Sequence, residues 1–187
     1  MNRHSFFAPE SKKKEFSYDL RKAAERAAKT LRGSLDTSRK RTKWGLKLEA
    51  QMVAETYHIL RNRGKYYTPK NLNMEFHYTV EPNKKKKKRI LRPDIIFRGE
   101  GGKEQPVEFK VLHRTPIKRD STLSQVARSK WEDGIEQAEE YWKYGNISKS
   151  IVIVAYLGPD PDDSFDLHLY KRLVSEFRKD YIEVIAC

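Results

Sequence analysis

Three residues close together in the sequence have the types and spacing for metal-assisted chemistry on a phosphate. Glu108 and Lys110 stand two apart in the run Val107-Glu108-Phe109-Lys110-Val111. On a strand, residues two apart point to the same side. Asp94 follows Arg92-Pro93 and opens another apolar run, Ile95-Ile96-Phe97. If the two runs pair as a hairpin, two carboxylates and an ammonium meet at one spot. Carboxylates are hard oxygen ligands suited to Mg2+ or Mn2+, and the backbone carbonyl of Phe109 offers one more. A divalent ion so held polarises a scissile phosphate and acidifies an attacking water. Lys110 is then placed to hold that water or to stabilise charge developing on the phosphate. An E-x-K triplet alone fits an ordinary surface ion pair equally well. The Pro-Asp at the edge of an apolar strand is what shifts the balance.

Positioning these groups falls to the surrounding elements. The apolar residues Leu46, Val53, Tyr57 and Leu60 recur at helical spacing and predict a helix from Trp44 to Arg63, ended by Gly64. Glu49 falls on that apolar stripe, where an acid is costly unless something compensates it, whereas Glu55 points away to solvent. Strands are expected over Asn73 to Val80, Ile90 to Arg98 and Gln105 to Leu112, the last two joined by a turn at Gly99, Gly101 and Gly102. A second strong helix is expected from Ser124 to Tyr144, with Trp131, Ile135, Ala138 and Trp142 as its buried stripe. The run Ser150 to Leu157 reads as a fully buried strand. A helix from Ser164 to Arg178 and a short strand from Tyr181 to Ala186 complete the order. Upstream, the alanines at 23, 24, 27 and 28 favour helix between Tyr18 and Leu31, with Gly33-Ser34 as its stop. The class implied is α/β with a mixed central sheet flanked by helices.

Pro93-Asp94 followed on the next strand by Glu108-Phe109-Lys110 resembles the PD-(D/E)XK nuclease superfamily, the restriction-endonuclease-like fold. The resemblance covers about Trp44 to Leu157 and implies an αβββαβ core, with the motif on its second and third strands. It also implies that an acid of the first helix joins the metal site. Gly45-Leu46-Lys47-Leu48-Glu49 is similar to the helix opening of archaeal Holliday-junction resolvases, which gives Glu49 that role. Gln137-Ala138-Glu139-Glu140-Tyr141 resembles the Gln-x-x-x-Tyr motif of RecB-like and lambda-exonuclease-like nucleases. Positions i and i+4 share a helix face, so Gln137 and Tyr141 are both candidates to face the site or bound DNA. The implied activity is Mg2+- or Mn2+-dependent hydrolysis of DNA leaving 5′-phosphates. Catalytic candidates are Asp94, Glu108, Lys110, Glu49, Gln137 and Tyr141; metal candidates are Glu49, Asp94, Glu108 and the Phe109 carbonyl. Residues 44–187 would form the nuclease domain, with 1–43 as a basic N-terminal helical arm of the same domain. The two secondary motifs pull toward different branches, and both endo- and exonuclease remain open.

Composition agrees with a polyanionic partner. Lys and Arg number 39 against 26 Asp and Glu, a net charge of +13, more than solubility demands. Residues 1–44 hold 13 of these bases against 5 acids. Lys84, Lys85, Lys86, Lys87, Lys88 and Arg89 precede the Asp94 strand, and Lys118, Arg119 and Arg128 follow the Lys110 strand. These would grip phosphates without reading sequence. The single cysteine, Cys187, excludes an internal disulfide, a cysteine-held zinc site and an iron–sulfur cluster. No apolar run approaches the ~18–20 residues of a membrane span, and Met1 to Lys14 lacks a secretory core. The expected location is intracellular, or the host cytoplasm for a phage- or virus-encoded chain. A homodimer or larger assembly stays open. So do two other functions: a non-catalytic DNA-binding or assembly subunit with a nuclease-like fold, and an RNA-cleaving effector.

Overall fold

A computed structural model describes residues 11–35, 45–63, 66–74, 78–80, 89–99, 102–112, 124–144, 147, 149–157 and 180–187. The elements are α1 (Ser11–Leu35), α2 (Gly45–Asn62), β1 (Leu72–Met74), β2 (Tyr78–Val80), β3 (Arg89–Leu91), β4 (Ile95–Arg98), β5 (Glu104–Leu112), α3 (Gln125–Tyr144), β6 (Ser150–Tyr156) and β7 (Ile182–Ala186). The helix expected at Ser164 to Arg178 lies outside the described residues. No described helix is long and apolar enough to cross a membrane.

The main sheet is mixed, in the order β1-β4-β5-β6-β7. β4 pairs antiparallel with both β1 and β5, and β5, β6 and β7 run parallel. Odd-numbered β5 residues Val107, Phe109 and Val111 enter one apolar layer with α1 and α2, while Leu112 enters a second layer with α3. The architecture is therefore α/β, three layers deep. The turn from β4 to β5 is closed by the Gly99 amide donating to the Lys103 carbonyl at 3.0 Å. Gly102 within it has φ 71°, a left-handed conformation that glycine adopts without a Cβ penalty.

The second expected strand is divided at Arg92, Pro93 and Asp94, and residues 75–77 of the first lie outside the described residues. β1 pairs with β4 and β2 pairs with β3 in one common register, Leu72 opposite Phe97 and Tyr78 opposite Leu91. They form one hairpin whose ladder is interrupted between Leu91 and Ile95. Pro93 sits in that gap and has no N–H to offer a ladder.

α1, longer at both ends than the helix expected from Tyr18 to Leu31, packs into the core. Phe16, Leu20, Ala23, Ala24, Ala27 and Ala28 have no exposed surface, and their positions repeat at helical spacing along one face. The alanines let the helix lie close to its neighbours. Its start is fastened by Phe16, which stacks on Phe97 of β4 at 4.1 Å and 14°. Asp19 accepts hydrogen bonds from Tyr67 Oη at 2.6 Å and Arg63 at 2.7 Å. The helix also runs through Gly33 to Leu35, since one interior glycine costs only about 1 kcal/mol against alanine.

Candidate active site

β4 and β5 are paired so that Ile95 faces Val107, which makes Asp94 and Glu108 the next pair outward. Asp94 lies just before β4, beside the Pro93 gap. There its Oδ2 accepts the amide N–H of Phe109 at 2.7 Å. An amide on the β4 side of β5 thus goes to a carboxylate instead of a ladder carbonyl, which fixes Asp94 beside the central strand.

Glu108 and Lys110 share the α3 side of β5, and both are buried, at 5% and 7% exposure. Lys110 Nζ donates to Glu108 Oε1 at 2.7 Å. Tyr141 Oη, on α3, donates to the other oxygen, Oε2, at 2.9 Å. Both carboxylate oxygens therefore have a donor, as a buried charge requires. Glu49, half-buried on α2, is near enough for its charge to act on Asp94, Glu108 and Lys110 alike.

Three carboxylates thus share one ammonium, and the electrostatics reflect it. Burial, then the charge of Glu108, pushes the Asp94 carboxyl up to about 7, against the pull of the Phe109 amide. Burial also raises Glu108, although Lys110 and Tyr141 oppose it. Burial alone would lower Lys110, but Glu108, Glu49 and Asp94 together hold it above its ordinary value. Burial and Glu108 raise the Tyr141 phenol, so it stays a donor.

The fit to a divalent ion rests on the donor set. An excess of negative charge on hard oxygens suits Mg2+ or Mn2+. Asp94 Oδ1 has no hydrogen-bond partner among the described residues. Those residues contain no group of three acids, histidines or cysteines drawn close enough to cage a metal. Mg2+ does not need such a cage, being held by one or two carboxylates together with water and substrate phosphate. Asp94 and Glu108 are the two carboxylates so placed, with the Phe109 carbonyl beside them on β5 and Glu49 approaching from the other layer.

The remaining candidates are placed differently. Gln137 is exposed on α3, whereas Tyr141 four residues on is buried. Arg128 is exposed near the start of α3. Arg89 forms the first residue of β3. Lys84 to Lys88, Lys118, Arg119 and His113 lie outside the described residues. Trp142 does not belong to the buried stripe of α3. It is 47% exposed and stacks on Tyr181 at 4.4 Å, while Tyr141 takes the inward position.

One residue absent from the sequence-derived candidates supports the site directly. A Cβ on Gly134 would lie 2.9 Å from Val152 Cγ1, 3.3 Å from Lys110 Cγ and 3.6 Å from Lys110 Cε. The stem of Lys110 passes under α3 at this glycine, and Tyr141 meets Glu108 two turns later on the same face. A glycine inside a strong helix is itself a sequence signal for close packing. Ser150 Oγ donates to the Ala138 carbonyl at 2.9 Å, both buried, and pins the same stretch of α3 to β6.

In comparison with known proteins, the chain has no significant match to a family model, a curated protein or a solved structure.

Proposed function

We propose that the chain is a metal-dependent nuclease of the PD-(D/E)XK type, with a restriction-endonuclease-like core, hydrolysing DNA phosphodiester bonds. The observation that carries this reading is the meeting of Asp94, Glu108 and Lys110 where the β4 ladder ends beside the central strand β5, with the charge of Glu49 acting on all three. An ion pair kept for stability alone is poorly served by two further carboxylates, because like charges crowd a buried site.

Asp94, Glu108, Glu49 and the Phe109 carbonyl would hold Mg2+ or Mn2+. When bound, such an ion polarises the phosphate and lowers the pKa of a water. The chain's own residues supply the rest. Phe109 N–H fixes Asp94, and Tyr141 holds one oxygen of Glu108 and so limits its rotation. Lys110 carries a fixed positive charge beside the reacting phosphate, where it orients the water and offsets developing negative charge. Water attacks phosphorus in line, the P–O bond to the departing 3′-oxygen breaks, and a 5′-phosphate remains.

Supercoiled, linear and single-stranded DNA, and matched RNA, are incubated with the protein in Mg2+, Mn2+ or EDTA, beside Lys110→Ala and Asp94→Asn. Metal-dependent cutting of DNA that both variants lose is expected. No cutting of any form by protein free of contaminating nuclease would refute the reading, and preference for RNA would move it to an RNA-cleaving effector.

A further inference from the structure

The three described helices differ in the charge they show to solvent. On α3 the exposed residues in mid-helix include Glu132, Asp133 and Glu136, and on α2 they include Gln51, His58 and Asn62. Only α1 among them presents a cationic row. Tyr18, Lys22, Arg26 and Lys29 are spaced by four, four and three, which keeps them on one face, and that face is turned away from the core. Its three cations, Lys22 to Lys29, span about 10 Å at 1.5 Å per residue, one charge for each of up to three phosphates of a nucleic-acid backbone. Lys22 lies 5.7 Å from the centre of the Tyr18 ring and 3.8 Å from Glu25. Arg26 and Lys29 have no ion pair among the described residues.

Two features decide what such a row can bind. The apolar face of α1 is committed to the core, with Phe16, Leu20 and four alanines fully buried. The helix therefore has no apolar face to insert into a lipid surface, as interfacial helices do. It offers fixed charges alone, which suits a polyanionic backbone. Direction is the second feature. Asp19 near the start of α1 meets Arg63 just past the end of α2, and residues 36–44 join the other two ends, so the helices run antiparallel. Lys29 therefore lies toward the end of the molecule where α2 begins and brings Glu49 to the site, and Tyr18 lies farthest from it.

We infer that the row Lys22, Arg26 and Lys29 of α1 is a docking track for the DNA backbone, holding the strand that leads away from the site. This rests on the nuclease reading for the identity of the polyanion. The contacts would be to phosphates, independent of base sequence.

The test measures binding of a duplex oligonucleotide in EDTA, so that nothing is cut, at salt from about 50 to 200 mM. The full chain is compared with a Lys22→Gln/Arg26→Gln/Lys29→Gln variant and with Lys103→Gln, an exposed lysine off the row. The triple variant should make the slope of log affinity against log salt shallower by about 0.9 for each phosphate no longer neutralised, and weaken binding about tenfold or more near physiological salt. Lys103→Gln should leave the slope unchanged. All three substitutions are on the solvent side of α1, so thermal melting should not move. Wild-type slope and affinity in the triple variant would overturn the track, whether or not the protein cuts. So would salt-sensitive binding to anionic phospholipid vesicles that depends on the row while DNA is ignored. Binding that depends on the row in a protein that never cuts would uphold the track and sink the nuclease reading alone.

Discussion

Replacing Gly134 with alanine tests whether α3 is a working part of the site or only a cover for the sheet. The new methyl would stand 2.9 Å from Val152 Cγ1, inside the ~3.5–4.0 Å at which carbon atoms attract. Val152 is fully buried in β6 and has nowhere to go, so the overlap falls on α3. Overpacking of this kind costs about 1–3 kcal/mol. The gain in helix propensity from glycine to alanine returns up to about 1 kcal/mol. The net loss of roughly 0–2 kcal/mol corresponds to a drop in Tm of no more than about 8 °C for a chain of this size. The chemical penalty should be larger. Lifting α3 lengthens the Tyr141–Glu108 hydrogen bond, and the methyl presses on the Lys110 stem. Misplacing reacting groups by about 1 Å costs about a hundredfold. Single-turnover cleavage at saturating DNA should therefore fall about 10- to 100-fold, with DNA affinity little changed. Gly134→Ala/Val152→Ala removes the 2.9 Å overlap and should recover most of the rate, although the core loses two methyl groups. A Gly134→Ala protein that cuts at full rate and melts higher than wild type would refute the reasoning and leave Gly134 as merely a poor helix residue.

Tyr141→Phe removes one donor from a buried carboxylate. A hydrogen bond to a charged group contributes about 1.5–3 kcal/mol, so a comparable loss of stability in urea and at least a tenfold loss of cleavage rate are expected. For Asp94, the folded pKa of about 7 lies above the ordinary value of 3.8, so folding is penalised progressively as pH rises from about 4 to 7. Asp94→Asn should therefore melt higher than wild type in EDTA at pH 8, and the gap should close as pH falls toward 4; a constant gap would count against the shift. Glu183 is a contrasting case: burial pushes its pKa up, but hydrogen bonds from Ser17 and Lys149 and the charges of Lys149 and Arg21 hold it below 4.5. Its contribution is present above about 4.5 and lost at lower pH, so Glu183→Gln should lower Tm at pH 7 but not at pH 3.

Period-two and period-3.6 patterns made much of the architecture readable. β5, β6, α2 and α3 lie within a residue or two of their expected positions, because each is long and strongly patterned. Glu108 and Lys110 share a side of β5 for the same reason. The divided hairpin was harder to read. Leu91 and Ile95 both look like strand residues, and the break depends on Pro93 lacking an N–H and on Asp94 taking an amide from a neighbouring strand. Neither Tyr141 nor Trp142 breaks the apolar pattern of α3. The inward place goes to Tyr141 because its hydroxyl has a buried carboxylate to meet, whereas Trp142 finds Tyr181 at the surface. The N-terminal segment was misleading for a different reason. Its charge suggested an arm, but lysines on one face of a helix say nothing about the other face, and alanine is too small to announce a core.

The site itself depends on both layers that flank the sheet. Glu108 and Lys110 face α3, so that helix alone can supply the donor from Tyr141 and the clearance at Gly134. Asp94 sits where the β4 ladder has ended beside the central strand, and there the charge of Glu49 acts on it from the α2 layer. A continuous second strand would have paired Asp94 into the ladder and shielded it from α2. The Pro93 interruption, which weakens the sheet locally, is thus the feature that lets two helices on opposite faces act on one cluster. Filling that gap by restoring a ladder amide at position 93 should strengthen the hairpin and loosen the hold of Asp94 on Phe109. Pro93→Ala should therefore melt at or above the wild-type temperature while cutting more slowly, and a variant that keeps the full rate would show that the interruption has no part in setting Asp94.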